Sequence, residues 1–150
     1  MSNVSTGNDS VTLKNRIFSD FADGDYAKLT FDNDSATAKT GKNGNTIFAS
    51  NEMGNQGKFE LRLLKGSSDD KFLNAEYANQ KSNFAGFVLF FGEYIKRMGN
   101  GAGNVQNDTY ILSAGVITRG VDAKSNAEGD TEQGVSVWKF TFAVVPRSIS

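Results

Sequence analysis

The sequence predicts a mainly β protein with one α-helix, and three observations support this prediction. The 150 residues include 16 Gly, 12 Phe and a single Pro, a composition typical of many strands joined by turns around an aromatic core. Several segments alternate apolar and polar residues with the period of two expected for strands. One segment instead carries the signals of a helix start. The length suits one domain, so residues 1–150 are interpreted as a single domain.

The best-defined local structure is a strand that leads directly into a helix. The strand is predicted over Lys58–Lys65, where the alternating apolar residues are Phe59, Leu61 and Leu63. Ser67 is followed three residues later by Asp70, the spacing of a capping box, so a helix begins there. This helix is predicted over about residues 68–80. Its apolar stripe is narrow and centres on Leu73 and Tyr77. It therefore covers the sheet from one side.

The N-terminal part of the chain predicts an arm and two strands. Residues 1–10 are polar and lack periodicity, so they are expected to form a flexible arm that orders on assembly. Residues 11–21 predict a first strand with an irregularity near Asn15. Residues 26–31 alternate and predict a second strand, which ends in a hairpin turn at residues 32–34.

The following segment, residues 35–57, is long and polar. It is rich in Thr, Asn, Gly and Lys, and its large apolar residues are Ile47, Phe48 and Met53. A polar excursion of this length inside a compact domain is either a functional loop or a segment that finds its partner elsewhere. We therefore predict an extended hairpin or loop that reaches away from the core.

The C-terminal half predicts three more strands. Residues 84–95 are apolar on both faces, so the strand predicted there needs cover on both sides, in part from a neighbouring subunit. Lys96–Arg97 and the glycine-rich residues 99–104 predict a flexible turn. Residues 108–119 predict a strand with one apolar face, formed by Tyr110, Leu112, Ala114 and Val116.

The end of the chain gives the clearest strand pattern. Residues 120–134 are polar and net acidic, and predict a solvated loop or one that faces a lumen or an interface. Residues 135–145 predict the last strand, with one face formed by Trp138, Phe140, Phe142 and Val144. Pro146 is expected to end the pairing and to leave residues 147–150 as a short tail.

The composition excludes most familiar active sites. The chain has no Cys and no His, which removes thiolate catalysis, disulfides and the commonest general base and metal ligand. The net charge of −1 argues against binding nucleic acid through bulk electrostatics. The longest apolar run, residues 84–91, is too short to cross a membrane. No catalytic, cofactor-binding or metal-binding residues are predicted.

Three local patterns suggest chemistry but have simpler explanations. The cluster of carboxylates at residues 20–25 lacks the ligand spacing of an EF-hand and predicts a turn. The glycines of residues 99–104 do not match a nucleotide-binding loop. The adjacent carboxylates Asp69 and Asp70 are explained by helix capping, and Asp32 with Asp34 by a turn.

Three motifs, in this order, resemble the tail tube proteins of bacteriophages. The first is the strand that runs into the helix, with Gly57, Phe59, Leu61–Lys65 and Ser67. The second is a turn and strand with Asp108, Thr109, Tyr110 and Leu112. The third is the terminal strand with Val135, Val137, Trp138, Phe140 and Phe142. The resemblance covers roughly residues 45–145.

The resemblance implies a β-sandwich or barrel-like tail-tube fold with one flanking helix and a long extended loop. It implies a viral structural protein of the virion tail, made in the host cytoplasm, that self-assembles into homohexameric rings. The rings stack into a conduit for DNA ejection, and related tubes occur in contractile injection systems. The partners implied are other copies, the sheath, the baseplate or tube initiator and the terminator. Neither an enzymatic activity nor a cofactor is implied, and DNA passes only transiently, without specific binding.

The sequence leaves several alternatives open. A monomeric β-sandwich module that binds carbohydrate or a surface could use Tyr26, Tyr94 or Tyr110 as stacking platforms. A hydrolase that uses only carboxylates and a tail-terminator or hub protein of the same fold are further alternatives. Under the tube hypothesis, small polar and acidic side chains should line the lumen and repel phosphate. Residues 1–10 and 35–57 are expected to join rings, and the apolar strand to join subunits within a ring. Deleting residues 40–56 should leave a folded subunit that does not polymerise.

Overall fold

The computed structural model describes residues 4–5, 9–22, 25–99, 101–123, 125, 127 and 134–149. Within these residues it has one α-helix, α1 (Ser68–Ser82), and a 3-10 turn at Glu52–Asn55. The strands are β1 (Val4–Ser5), β2 (Ser10–Leu13), β3 (Arg16–Ile17), β4 (Ala27–Thr30), β5 (Ala36–Thr40), β6 (Thr46–Ser50), β7 (Gly57–Leu64), β8 (Phe90–Gly99), β9 (Val105–Arg119), β10 (Val135–Val144) and β11 (Arg147–Ile149).

Most strands belong to one antiparallel sheet. Its order is β3-β2-β8-β9-β10-β7-β4, with β1 paired to β8 and β11 paired to β9. Strands β5 and β6 form a separate two-stranded sheet. This architecture confirms the prediction of a mainly β fold with a single helix.

The large sheet curls until its two halves face each other. Strands β7 and β8 are three positions apart in the sheet, which would separate them by about 14 Å if the sheet were flat. The rings of Phe59 in β7 and Tyr94 in β8 nevertheless lie 5.4 Å apart. The ring centres of Phe90 and Phe140 also lie 5.2 Å apart across this space. The fold is therefore sandwich-like, with an aromatic core between the two halves of the sheet.

Strand β7 and helix α1 follow the sequence prediction closely. Phe59, Leu61 and Leu63 are buried, and β7 pairs with β4 on one side and β10 on the other. The hydroxyl of Ser67 accepts from the backbone N–H of Asp70 at 3.3 Å, which confirms the predicted cap. Leu73 anchors the helix on the core and is fully buried.

The prediction of one strand over residues 11–21 is wrong. Strands β2 and β3 form a tight hairpin, with Thr12 opposite Ile17. The turn residues Lys14 and Asn15 have φ angles of 50° and 64°, as a two-residue hairpin turn of the primed type requires. The irregularity near Asn15 is therefore a reversal of the chain.

The N-terminal arm and the second strand also differ from expectation. Strand β1 pairs with Met98 and Gly99 of β8, so these two residues of the predicted flexible arm are in the sheet. Residues 1–3 and 6–8 of the arm lie outside the described residues. Strand β4 pairs with β7 and not with β5, the next strand in the chain. The predicted hairpin turn at residues 32–34 is therefore only a connection between the two sheets.

The strand predicted over residues 84–95 begins later and extends further. The side chain of Asn83 ends the helix and accepts from the N–H of Gly86 at 3.2 Å, which produces a turn where a strand was expected. Strand β8 begins at Phe90 and continues to Gly99, so Lys96–Arg97 belong to a strand and not to a turn. Gly99 pairs with Val105 of β9, so β8 and β9 form a hairpin around the glycine-rich segment, as predicted.

Strand β9 contains a bulge that reverses which side chains face the core. Ala114 has a φ of 55°, and the β8–β9 register shifts at this point. Leu112 is buried before the bulge, but Ile117 is buried after it. The prediction that Ala114 and Val116 share the face of Leu112 is therefore wrong.

The aromatic face of β10 is confirmed, but the end of the chain is not a tail. Trp138, Phe140 and Phe142 are buried, whereas Val144 is 47% exposed, contrary to the prediction, and Val145 replaces it in the core. After Pro146 the chain pairs again, as β11 against Asp108–Tyr110 of β9. Those three residues therefore lie inside a strand and not at a turn. Of the predicted acidic loop, residues 124, 126 and 128–133 lie outside the described residues.

Candidate interaction surfaces

The acidic side chains are the candidates for catalytic or metal-binding chemistry in a chain without His or Cys. Among the described residues, no group of three or more carboxylates is placed so that it could hold a metal ion. The carboxylates that the sequence singled out have structural partners instead. Asp32 forms an ion pair with Lys58. The carboxylate of Asp69 accepts from the backbone N–H groups of Ser19 and Asp20, and that of Asp70 accepts from the N–H of Gly66. Exposed apolar and charged surfaces are the other features of the described residues.

Asp69 is a buried carboxylate at the N-terminus of α1. Its Oδ2 accepts from the backbone N–H groups of Ser19 and Asp20 at 2.8 and 3.0 Å, and its Oδ1 accepts from Arg16 Nε at 2.9 Å. Burial raises its pKa, but these donors and the charge of Arg16 outweigh burial and lower the pKa below the usual value. Asp69 stays ionised and joins the first hairpin to the helix.

The hairpin of β5 and β6 is the most exposed part of the described chain. Every residue of both strands is exposed, including the large apolar side chains Ile47 at 72% and Phe48 at 75%. Ile47 pairs with Lys39 across the hairpin, and Phe48 pairs with Ala38, so the two faces each carry one large apolar residue. A two-stranded hairpin without a supporting layer is marginally stable in water. The two strands therefore present a surface that another element can cover.

A shallow groove lies on the solvent side of β8 and β9, and we call it the β8–β9 groove. Its lining comes mainly from the side chains of Thr12, Asn15, Phe91, Glu93, Ile111 and Ser113. Phe91 and Ile111 are 43% and 42% exposed, and Glu93 is the cross-strand partner of Ile111. The sequence analysis did not identify this groove. The period of two from Phe91 to Glu93 was visible, but pairing with Ile111 depends on the tertiary register.

The segment between helix and β8 is also apolar and exposed. Phe84, Val88 and Leu89 are 62%, 66% and 42% exposed, whereas Phe87 packs on Phe90 in the core. The sequence predicted that this stretch would need cover from a neighbour. The structure places its apolar side chains in solvent, but in a loop and not on a strand.

A row of charges crosses the solvent side of the other half of the sheet. Lys28, Glu60, Lys139 and Arg119 are successive cross-strand neighbours on β4, β7, β10 and β9. They line an open groove of about 500 Å³ that also contains Lys58 and three threonines. The volume is typical of small-molecule pockets, but the residues around this groove include four cations and one carboxylate. The groove therefore has an excess of positive charge.

An ion pair between Arg147 and Asp108 holds the C-terminal strand. Arg147 donates from Nε and from an Nη to the two oxygens of Asp108, at 2.7 and 2.8 Å. This side-chain hydrogen bonding lowers the pKa of Asp108, which is buried. The guanidinium also lies 5.6 Å from the ring centre of Tyr110. Because Pro146 interrupts the strand, this pair fixes the position of β11.

The tyrosines considered as stacking platforms are occupied within the chain. Tyr94 is 7% exposed and packs on Phe59, and burial raises its pKa to about 12, with Asp9 as the next contribution. Tyr26 lies 4.3 Å from the ring of Phe21. Tyr110 stacks on Tyr94 with the ring centres 5.9 Å apart, and the guanidinium of Arg147 lies over the ring of Tyr110. None of the three presents a free ring face comparable to that of Phe48.

No helix among the described residues has the length and apolar character needed to span a membrane. A scan against models of known protein families finds no match, and a search of curated proteins finds no significant relative.

Proposed function

We propose that this protein is a structural subunit of a bacteriophage tail tube that assembles as stacked homohexameric rings. The order of the three sequence motifs supports this proposal, together with the mainly β, sandwich-like fold with its single helix. The observation that carries it is the hairpin of β5 and β6. Its strand residues are all exposed, and it has large apolar side chains on both faces. Such a hairpin requires a partner, and in a tube the partner is a neighbouring subunit.

The sheet edges fit the same proposal. Among the described residues, β4 pairs on one side with β7 and leaves its other edge open, and β3 does the same beside β2. Open edges favour pairing with another chain, and a closed ring removes them because each subunit covers its neighbour. The exposed loop with Phe84 and Val88 is a further surface that a neighbour would cover within a ring.

The proposed role is a passive conduit for DNA in the virion tail. The lumen should then carry few cations, because lysine and arginine retain phosphate. The solvent face that contains Lys28, Lys139 and Arg119 does not meet this requirement. We therefore place that face away from the lumen, on the outside of the tube, where a sheath would bind. Under this proposal the protein is not an enzyme, needs no cofactor, and contacts the tube initiator and the terminator at the two ends of the tube.

The hairpin is the part of the chain to change in a test. The pairing of Ala36 with Ser50 allows residues 37–49 to be replaced by Asn-Gly, which closes a short turn. A longer cut to Gln56 would remove Asn55, whose carbonyl accepts from the N–H of Val145 at 3.1 Å. The shortened variant should stay folded by circular dichroism and should form no tubes by negative-stain electron microscopy. Tubes of unchanged length and number would contradict the role given to the hairpin.

A further inference from the structure

Two surfaces of this chain carry the same local pattern with opposite charge. On the hairpin of β5 and β6, Lys39 and Ile47 are cross-strand partners. In the β8–β9 groove, Glu93 and Ile111 are cross-strand partners. Cross-strand partners lie side by side on one face of a sheet. Each surface therefore presents an isoleucine next to a charged group, and the two charges attract.

The two isoleucines are only partly covered within the described part of the subunit, and the two charged groups form no ion pair there. Ile47 is 72% exposed and Ile111 is 42% exposed, and Phe91 beside Ile111 is 43% exposed. In the described part of the chain, neither Lys39 nor Glu93 forms an ion pair. An apolar contact and an ion pair are thus both available to a partner that brings the two surfaces together.

The occupant of the groove has to come from another molecule. The hairpin forms its own sheet and, among the described residues, pairs with no strand of the large sheet in its own chain. Every copy of the protein carries both the hairpin and the groove, so a second copy supplies a complementary surface. Because the two surfaces are different parts of the chain, their contact is head to tail. When such a contact repeats head to tail from one copy to the next, it builds a ring or a filament.

We infer that the hairpin of one subunit docks in the β8–β9 groove of a second copy. Ile47 packs on Phe91 and Ile111, and Lys39 pairs with Glu93 of the other copy. The inference rests on the proposed self-assembly and adds the surface on which the hairpin docks. Phe48, on the opposite face of the hairpin, remains available for a further contact.

Charge reversal tests the ion pair. Lys39→Glu and Glu93→Lys should each weaken self-association at least about tenfold in sedimentation velocity, because like charges then face each other. Combining both changes restores opposite charges and should restore association. Lys42→Glu makes the same change of charge in the hairpin turn, away from Ile47, and serves as the control. Equal self-association of all four variants in sedimentation velocity would overturn the inference.

Cross-linking tests the contact independently of charge. The chain has no Cys, so single cysteines can be introduced without background. Lys39→Cys and Glu93→Cys, mixed and treated with a short bis-maleimide, should give a covalent heterodimer. Lys39→Cys mixed with Lys28→Cys is the control, because Lys28 is exposed on the other half of the sheet. A heterodimer in the control alone, or in neither mixture, would contradict the inference.

The two readouts separate this inference from the proposed function. Tubes in the microscope without the Lys39–Glu93 cross-link would refute the docking surface and leave the tube proposal intact. The cross-link without rings or tubes would support the docking surface and count against a tube subunit. A wild-type protein that gives neither assembly nor cross-link would refute both.

Discussion

The indole Nε1 of Trp138 donates a hydrogen bond to Oδ1 of Asp70 at 2.9 Å, joining the last long strand to the first turn of the helix. The other oxygen of Asp70 accepts from Ser136 Oγ at 3.1 Å and from the N–H of Gly66 at 2.9 Å. Asp70 thus connects the turn before the helix, the helix itself and β10. Trp138 also meets Tyr77 edge to face at 6.0 Å, so the helix and the strand share apolar and polar contacts.

Asp70→Ala should destabilise the protein by about 2 to 3 kcal/mol, because three hydrogen bonds are lost and the buried Trp138 N–H keeps no partner. Urea unfolding followed by tryptophan fluorescence measures this change. Lys71→Ala, at the next and exposed helix position, is the control and should cost less than about 0.5 kcal/mol. Equal midpoints for the two variants would show that Asp70 does not have this role.

Gln80→Ala should cost about 3 kcal/mol. The buried Gln80 amide donates to the carbonyl of Ile117 at 2.8 Å and accepts from its N–H at 3.0 Å, so the substitution leaves both backbone groups of β9 without these bonds. Hydrogen exchange should also accelerate at the Ile117 amide. The exposed neighbour Asn79 provides the comparison, since Asn79→Ala should change neither measurement substantially.

Two substitutions at Ala114 should change the free energy of unfolding in opposite directions. Its φ of 55° is unfavourable for a residue with a Cβ and worse for a β-branched one. Ala114→Gly should therefore stabilise the fold by about 0.5 kcal/mol after the greater freedom of the unfolded chain is counted. Ala114→Val should destabilise it by at least about 1 kcal/mol, although valine favours regular strands. A stabilising valine in urea unfolding would mean that the bulge is absent.

Acid should weaken the link between the first hairpin and the helix. The pKa of Asp69 is lowered in the folded protein, so its ionised form contributes stability that is complete above the unfolded value of about 3.9. That contribution is lost as the pH falls through the lower folded value. The stability difference between the wild type and Asp69→Asn should therefore be largest near pH 7 and shrink below about pH 4. A difference that stays constant from pH 7 to pH 2 in urea titrations would contradict this assignment.

The elements that could be predicted are those whose signals are local. The alternation of Phe59, Leu61 and Leu63 and the Ser67 cap depend on neighbouring residues, and the structure agrees with both. The same holds for the aromatic face of β10. The polar character of residues 35–57 likewise predicted a hairpin or loop away from the core, and β5 and β6 lie in that segment.

The errors arose where distant residues decide the local conformation. The bulge at Ala114 changes the periodicity of β9 in mid-strand, so residues assigned to one face lie on two. Strand β11 forms because Arg147 reaches Asp108, 39 positions away, and nothing in residues 146–150 alone indicates this. The β8–β9 groove was missed for the same reason, since Glu93 and Ile111 meet only through the register of two strands.

Negative-stain electron microscopy of the purified wild-type protein, combined with sedimentation velocity over a range of concentrations, tests the central claim most directly. The account predicts rings of six subunits and stacked tubes, with assembly increasing with concentration. A population that remains monomeric at the highest concentration, with no rings or tubes on the grid, would contradict it.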